Sequence, residues 1–347
     1  MRKLNYIPII LLLFSCTKEE LGPQCVSCTV EETNTQQADI IIVNEGNFGW
    51  SNGSLTLYNP SDKTISQNIF SQANNNLPLG DVVQSIAQLN NKAYIVVNNS
   101  NKVEVVDINS FNSLATITGF TSPRYFLPIN SIKAYVTDLY SNSIQIVDLN
   151  SNTISGNIAI SGWSEELIIH NDSVYVCDMT NDNLLIIDPL NNTLVDSIKV
   201  GESPNSIIID QNNKIWIMCS GGINSNLPKL IKFNPQSRII ENTFTFSSIS
   251  ESPGSLKIND LKDQLYFINS SVYKMNINDL TLPISPFIMN NNNTFYALDI
   301  NPVNEEVYVS DAIDYVQNGI IFRYSSSGDL INQFNSGVIP GSFLFIE

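Results

Sequence analysis

The chain holds a single histidine, His170. No second imidazole can join it in a metal site of the usual His-rich kind. His170 ends an apolar strand and is followed by Asn171-Asp172, so it reads as a structural residue facing a turn. Serines and acids are scattered, with no GxSxG elbow and no paired-carboxylate motif. Asp178-Met179-Thr180-Asn181-Asp182-Asn183 is as oxygen-rich as a calcium loop, but it lacks the alternating ligand spacing of an EF-hand and reads as a hairpin turn. Cys25-Val26-Ser27-Cys28 is a CxxC without a second pair or a βαβ setting, which points to a local disulfide in an oxidising compartment. Cys177 and Cys219 lie in apolar strands and read as core residues. Neither catalysis nor a metal or cofactor is expected from this inventory.

Residues suited to binding are more plentiful. Arg124-Tyr125, Glu165-Glu166, Asn205-Ser206 and Phe295-Tyr296 each open an apolar strand, with Trp163 just ahead of the second pair. Glu45, Asn47, Phe48, Trp50, Tyr140, Asp314 and Tyr315 fall in turns. Aromatic faces beside amides and carboxylates suit a large, partly apolar ligand that also offers amide hydrogen bonds. A corrinoid, a planar ring edged with amides, has that character, and so does a glycan. These residues form one site only if the fold gathers them on one face.

A repeat supplies that fold. Lys92-Ala93-Tyr94, Lys133-Ala134-Tyr135, Ser173-Val174-Tyr175, Lys214-Ile215-Trp216, Gln264-Leu265-Tyr266 and Glu306-Val307-Tyr308 open equivalent strands. Their aromatics are spaced by 41, 40, 41, 50 and 42 residues, and Ile40–Asn44 is an earlier copy without the aromatic. Each copy is followed by a second strand across a turn such as Ser100-Asn101, Ser141-Asn142 or Asn181-Asp182, whose residues tolerate positive φ. A third strand and a fourth, beginning after a Ser-Pro or Gly turn, complete each period. Four short strands per period of about 41 residues is the signature of a β-propeller. Seven copies predict an all-β, seven-bladed β-propeller over residues 38–347. The last segment, Gly341 to Ile346, matches the innermost strand type, so the ring is expected to close by pairing that strand with the three N-terminal ones.

The ends and the charge complete the reading. Met1-Arg2-Lys3 precedes an apolar run from Leu4 to Phe14, the form of a secretory signal and too short for a membrane span, which needs about 20 apolar residues. Leu13-Phe14-Ser15-Cys16 resembles the bacterial lipobox, which implies a signal peptide over 1–15 and a lipid on Cys16. Residues 16–37 carry the lipidated cysteine and a polar flexible tether. Thr17-Lys18-Glu19-Glu20 resembles the surface-export signal of lipoproteins from polysaccharide-degrading gut and marine bacteria. The expected location is the outer membrane, exposed at the cell surface and held only through the lipid. A net charge of −16 argues against nucleic acid and against an acidic lipid surface as partners.

Tyr135-Val136-Thr137-Asp138, the Ser-Asn turns and the strands ending in Val-Asp or Ile-Asp resemble the YVTN-repeat propellers of bacterial surface proteins over residues 38–347. Asn44-Glu45-Gly46-Asn47-Phe48-Gly49-Trp50 resembles the opening blade of a subgroup of surface propeller lipoproteins. That subgroup includes the cobalamin-binding partners of TonB-dependent transporters. The resemblance implies capture of a nutrient, with cobalamin or a related corrinoid foremost, for delivery to an outer-membrane transporter. A non-catalytic propeller for protein or glycan adhesion, and a lactonase- or lyase-type propeller enzyme, are the alternatives.

Overall fold

The computed structural model describes residues 39–346 apart from 224. The expectations placed on Cys16, on the Cys25–Cys28 pair and on the tether lie outside these residues. The described chain forms seven antiparallel sheets, and the seven-bladed propeller is confirmed. Each blade runs outward from an innermost strand. Those strands are Val83–Leu89, Pro123–Asn130, Ser164–His170, Pro204–Ile209, Gly254–Ile258, Phe295–Ile300 and Pro340–Phe345. Each contacts the next around the ring, and Pro340–Phe345 contacts both Phe295–Ile300 and Val83–Leu89.

Blade 1 is built from both ends of the described chain, in the order Pro340–Phe345, Ile40–Asn44, Ser54–Tyr58, Ile65–Gln67. Ile40 pairs with Phe345, Ile41 with Leu344 and Ile42 with Phe343, as the phase of the repeat predicts. The Ile346 amide donates to the Asp39 carbonyl at 2.9 Å and extends the join. Polar contacts reinforce the seam with blade 7. Asn44 donates to Thr56 Oγ1 at 3.1 Å and accepts from Ser336 Oγ at 2.7 Å and the Gly337 amide at 2.9 Å.

The apolar interior is divided into seven layers, one between each pair of neighbouring blades. This explains why Ile40-Ile41-Ile42-Val43 is apolar throughout: alternate side chains leave a strand on opposite faces, and here both faces are covered. Ile41 and Val43 pack toward blade 2, whereas Ile40 and Ile42 pack toward blade 7. The recurring aromatic, carried by the strand next to the innermost one, fills the same layers. Tyr94, Tyr135, Tyr175, Trp216, Tyr266 and Tyr308 are all buried, and Tyr94 stacks on Phe126 of the next blade at 4.3 Å. Asn101, Asn142 and Asp182 take φ of 55°, 51° and 56°, the left-handed turns their types predict.

Blade 6 departs from the expected four strands, for it has three: Gly254–Ile258, Gln264–Asn269 and Ser271–Asn276. The chain that follows carries Pro283 and Pro286, which lack the N–H a ladder needs, and only Val272 and Ile288 form a bridge there. Among the described residues no helix is long and apolar enough to cross a membrane.

Candidate functional site at the axial mouth

All seven innermost strands break register at the same end. The breaks fall between Val83 and Ser85, Pro123 and Phe126, Ser164 and Leu167, Pro204 and Ser206, Gly254 and Leu256's neighbour Lys257, Phe295 and Leu298, and, in blade 1, opposite Val43 and Asn44. A β-bulge leaves residues unpaired and re-aims their side chains. The bulged residues include Gln84, Arg124, Tyr125, Glu165, Glu166, Asn205, Ser255, Tyr296 and Gly341, and all of these line one cavity of about 310 Å³ at the mouth of the axial channel. Seven equivalent irregularities thus build the site.

One wall is an ion-pair cluster. Arg124 Nε and Nη2 donate to Glu165 Oε1 at 2.9 and 2.8 Å, and Nη1 donates to Gln84 Oε1. Trp163 Nε1 also donates to Glu165, and the guanidinium carbon lies 5.8 Å from the Trp163 ring and 6.0 Å from that of Tyr125. Burial pushes the Glu165 carboxyl above its ordinary pKa, with Arg124 acting in the opposite sense. On another wall Lys257 lies 3.8 Å from Asp299. Asp299, seconded by Glu166, holds the Lys257 ammonium above its usual range. Glu166 Oε2 accepts from the Ile207 amide at 3.1 Å. Tyr296 donates to Glu45 Oε1 at 2.9 Å, and burial pushes Glu45 up to about 7.

Of the residues expected to bind, Glu45, Arg124, Tyr125, Trp163, Glu165, Asn205 and Tyr296 line the mouth. Tyr315 stands on its rim, with its ring 5.8 Å from that of Tyr296, and Asn47 Nδ2 donates to the Tyr315 carbonyl at 2.6 Å. Phe48, Trp50 and Tyr140 are strongly exposed on loops of the same face, outside the cavity. Phe295 is corrected: it is buried between blades 6 and 7 against Phe322, because it precedes the bulge that turns Tyr296 outward. Sequence reasoning overlooked Gln84, Ser255 and Gly341, which are also bulge residues, and Lys257 and Asp299, which lie one step deeper. The first three had a signal, since each occupies the position of Arg124 in its own period.

The lining holds four acids, Glu45, Glu165, Glu166 and Asp299, against two bases, Arg124 and Lys257. Such a floor favours ligands rich in N–H or O–H donors over anions. Among the described residues no three His, Cys, Asp or Glu side chains are grouped to hold a metal ion.

A family model described as "Domain of unknown function (DUF5074)" matches residues 39–345. The chain belongs to the DUF5074 family. No curated protein matches this DUF5074 chain. Among solved structures it is similar to a quinoprotein alcohol dehydrogenase-like protein from Bacteroides thetaiotaomicron, at 16% identity and a TM-score of 0.70, over 89% of this chain and 78% of that one. A protein from Lactobacillus plantarum is similar at 12% identity and a TM-score of 0.68, over 90% of this chain and 100% of that one. A 6-phosphogluconolactonase-like protein from Bacteroides uniformis is similar at 13% identity and 0.65, over 90% and 100%. At such identities the likeness of the DUF5074 chain to these proteins is one of fold.

Proposed function

We propose that this DUF5074 propeller is a binding protein that captures a nutrient at the axial mouth, with cobalamin or a related corrinoid the foremost candidate. The observation that carries the reading is the set of seven bulges that aim acceptors, amides and aromatic rings into one opening. A cavity of about 310 Å³ is at the small end for ligand sites, so a macrocycle would lie across the face rather than sink into it. Its carboxamide donors would then reach Glu45, Glu165 and Asn205, while Trp50, Tyr140 and Tyr315 offer flat surfaces around the rim. Held at the cell surface by a lipid on Cys16, the propeller would pass its ligand to an outer-membrane transporter. Calorimetry with residues 38–347 tests the ligand: heat that saturates with cyanocobalamin and is lost in Glu165→Gln supports it, and no heat at micromolar protein rejects the corrinoid. Protease shaving of intact cells tests the location.

A second reading, contact with proteins or glycans without transport, draws on the apolar rim. Phe48, Trp50, Ile223, Ile284 and Val316 are all more than two-thirds exposed on connections at the mouth end. Exposed apolar loop tips of this kind mark interaction surfaces. Retention of the full chain on immobilised glycans, with no cyanocobalamin binding, would favour it.

A further inference from the structure

On the face opposite the mouth, blades 4 and 5 enclose a cavity of about 440 Å³. Its walls are the turn after Ser164–His170, the turn after Pro204–Ile209 and the turn between Lys229–Asn234 and Ile239–Thr245. The chain is strongly acidic, yet this lining contains His170, Lys214 and Arg238 and no carboxylate. Lys262 adds a further positive charge near His170. Carboxylates stand just outside this lining, Glu241 against Lys214 and Asp196 against Arg238, so the attraction for an anion rests on the donors these pairs leave over and not on a net positive potential.

The cations have donors to spare. Lys214 Nζ donates to Glu241 at 2.7 Å and Arg238 Nη1 to Asp196 at 2.9 Å. An ammonium has three N–H donors and a guanidinium five, so each of these contacts uses only part of the capacity. His170 Nε2 is buried and has no hydrogen-bond partner among the described residues. Leaving such an atom unpaired costs about 1–3 kcal/mol, and a small turn of the ring toward a ligand oxygen would remove that cost. Asn171, Asn212 and Gln236 bring amides to the same walls. Asn171 sits at a φ of 44°, so its turn accounts for its type, but Asn212 and Gln236 are not among the positive-φ residues.

We propose that this cavity is a second binding site, for an acidic sugar. Its carboxylate or sulfate would sit among His170, Lys214 and Arg238, and its hydroxyls would meet Asn171, Asn212 and Gln236. This site is independent of the mouth and of whatever binds there.

The single imidazole makes the test direct, because the His170 ring signals in an NMR spectrum of the full chain report this cavity alone. Titration with glucuronate or glucose 6-sulfate is expected to shift those signals saturably and to raise the His170 pKa by about one unit, as a neighbouring anion favours the imidazolium. Whichever of the two sugars binds more tightly identifies the acid group. Lys214→Gln and Arg238→Gln should each weaken binding about tenfold, the loss of one charge-assisted hydrogen bond, with melting temperatures unchanged. The proposal is overturned if neither sugar gives a saturable shift, if uncharged glucose matches them, or if inorganic sulfate alone binds as tightly. Binding that survives in both variants overturns it as well.

Discussion

Glu45 shows how one residue couples the mouth to pH. Burial raises its pKa from 4.5 to about 7. Between those values the folded chain keeps a proton that the unfolded chain has released, so stability is highest below the window and falls as pH rises through it. Urea midpoints measured from pH 4 to 8 should show that fall, and Glu45→Gln should flatten it; an equal slope in the variant would refute the assignment. The Arg124–Glu165 pair makes a second prediction at this scale. Arg124→Met leaves a buried carboxylate with Trp163 as its remaining side-chain donor, at a cost of about 3 kcal/mol in denaturant unfolding. Replacing both partners by apolar residues should recover much of that loss, since the desolvation of both charges is then avoided. These two residues were legible in the sequence because they open strands right after a turn. Lys257 and Asp299 were not, because nothing in the spacing says that residues from blades 6 and 7 meet in space.

At the scale of elements, the period predicts strands well where every residue of the ladder can donate. It fails in blade 6, where Pro283 and Pro286 interrupt the place of the fourth strand. The outer edge of Ser271–Asn276 is partly covered there. The Val272 amide donates to the Ile288 carbonyl at 3.0 Å, and the Asn276 amide donates to Asp279 Oδ2 at 2.7 Å. By strand alternation the Lys274 amide points the same way, with no partner among the described residues. Hydrogen exchange should therefore be at least tenfold faster at Lys274 than at Ile186, its counterpart in the complete blade 4. Equal protection would mean that the edge is paired after all. The bulges are the other lesson at this scale. A bulge depends on the register of two strands, so the sequence marks its neighbourhood by a Ser-Pro or Gly turn but not which residue turns outward. That is why Phe295 and Tyr296 were both expected at the mouth and only Tyr296 is found there.

At the scale of the molecule, the ring is held shut by Pro340–Phe345, which pairs with Ile40–Asn44 and packs against two neighbouring inner strands. Removing residues 340–347 exposes the edge of Ile40–Asn44 and opens an apolar layer, and should lower the melting temperature by about ten degrees or more. An unchanged melting temperature would mean that the ring does not depend on this closure. The architecture itself was determined by the sequence: a repeated pattern of buried aromatics, alternating apolar residues and left-handed turn residues is local chemistry, and seven copies of it leave few other ways to bury both faces of each sheet. The site was decided only by the tertiary structure. Its acids and bases stand up to about 250 residues apart along the chain, as Glu45 and Tyr296 do, and their pairing and raised pKa values arise from burial around an axis that exists only once the seven blades have closed.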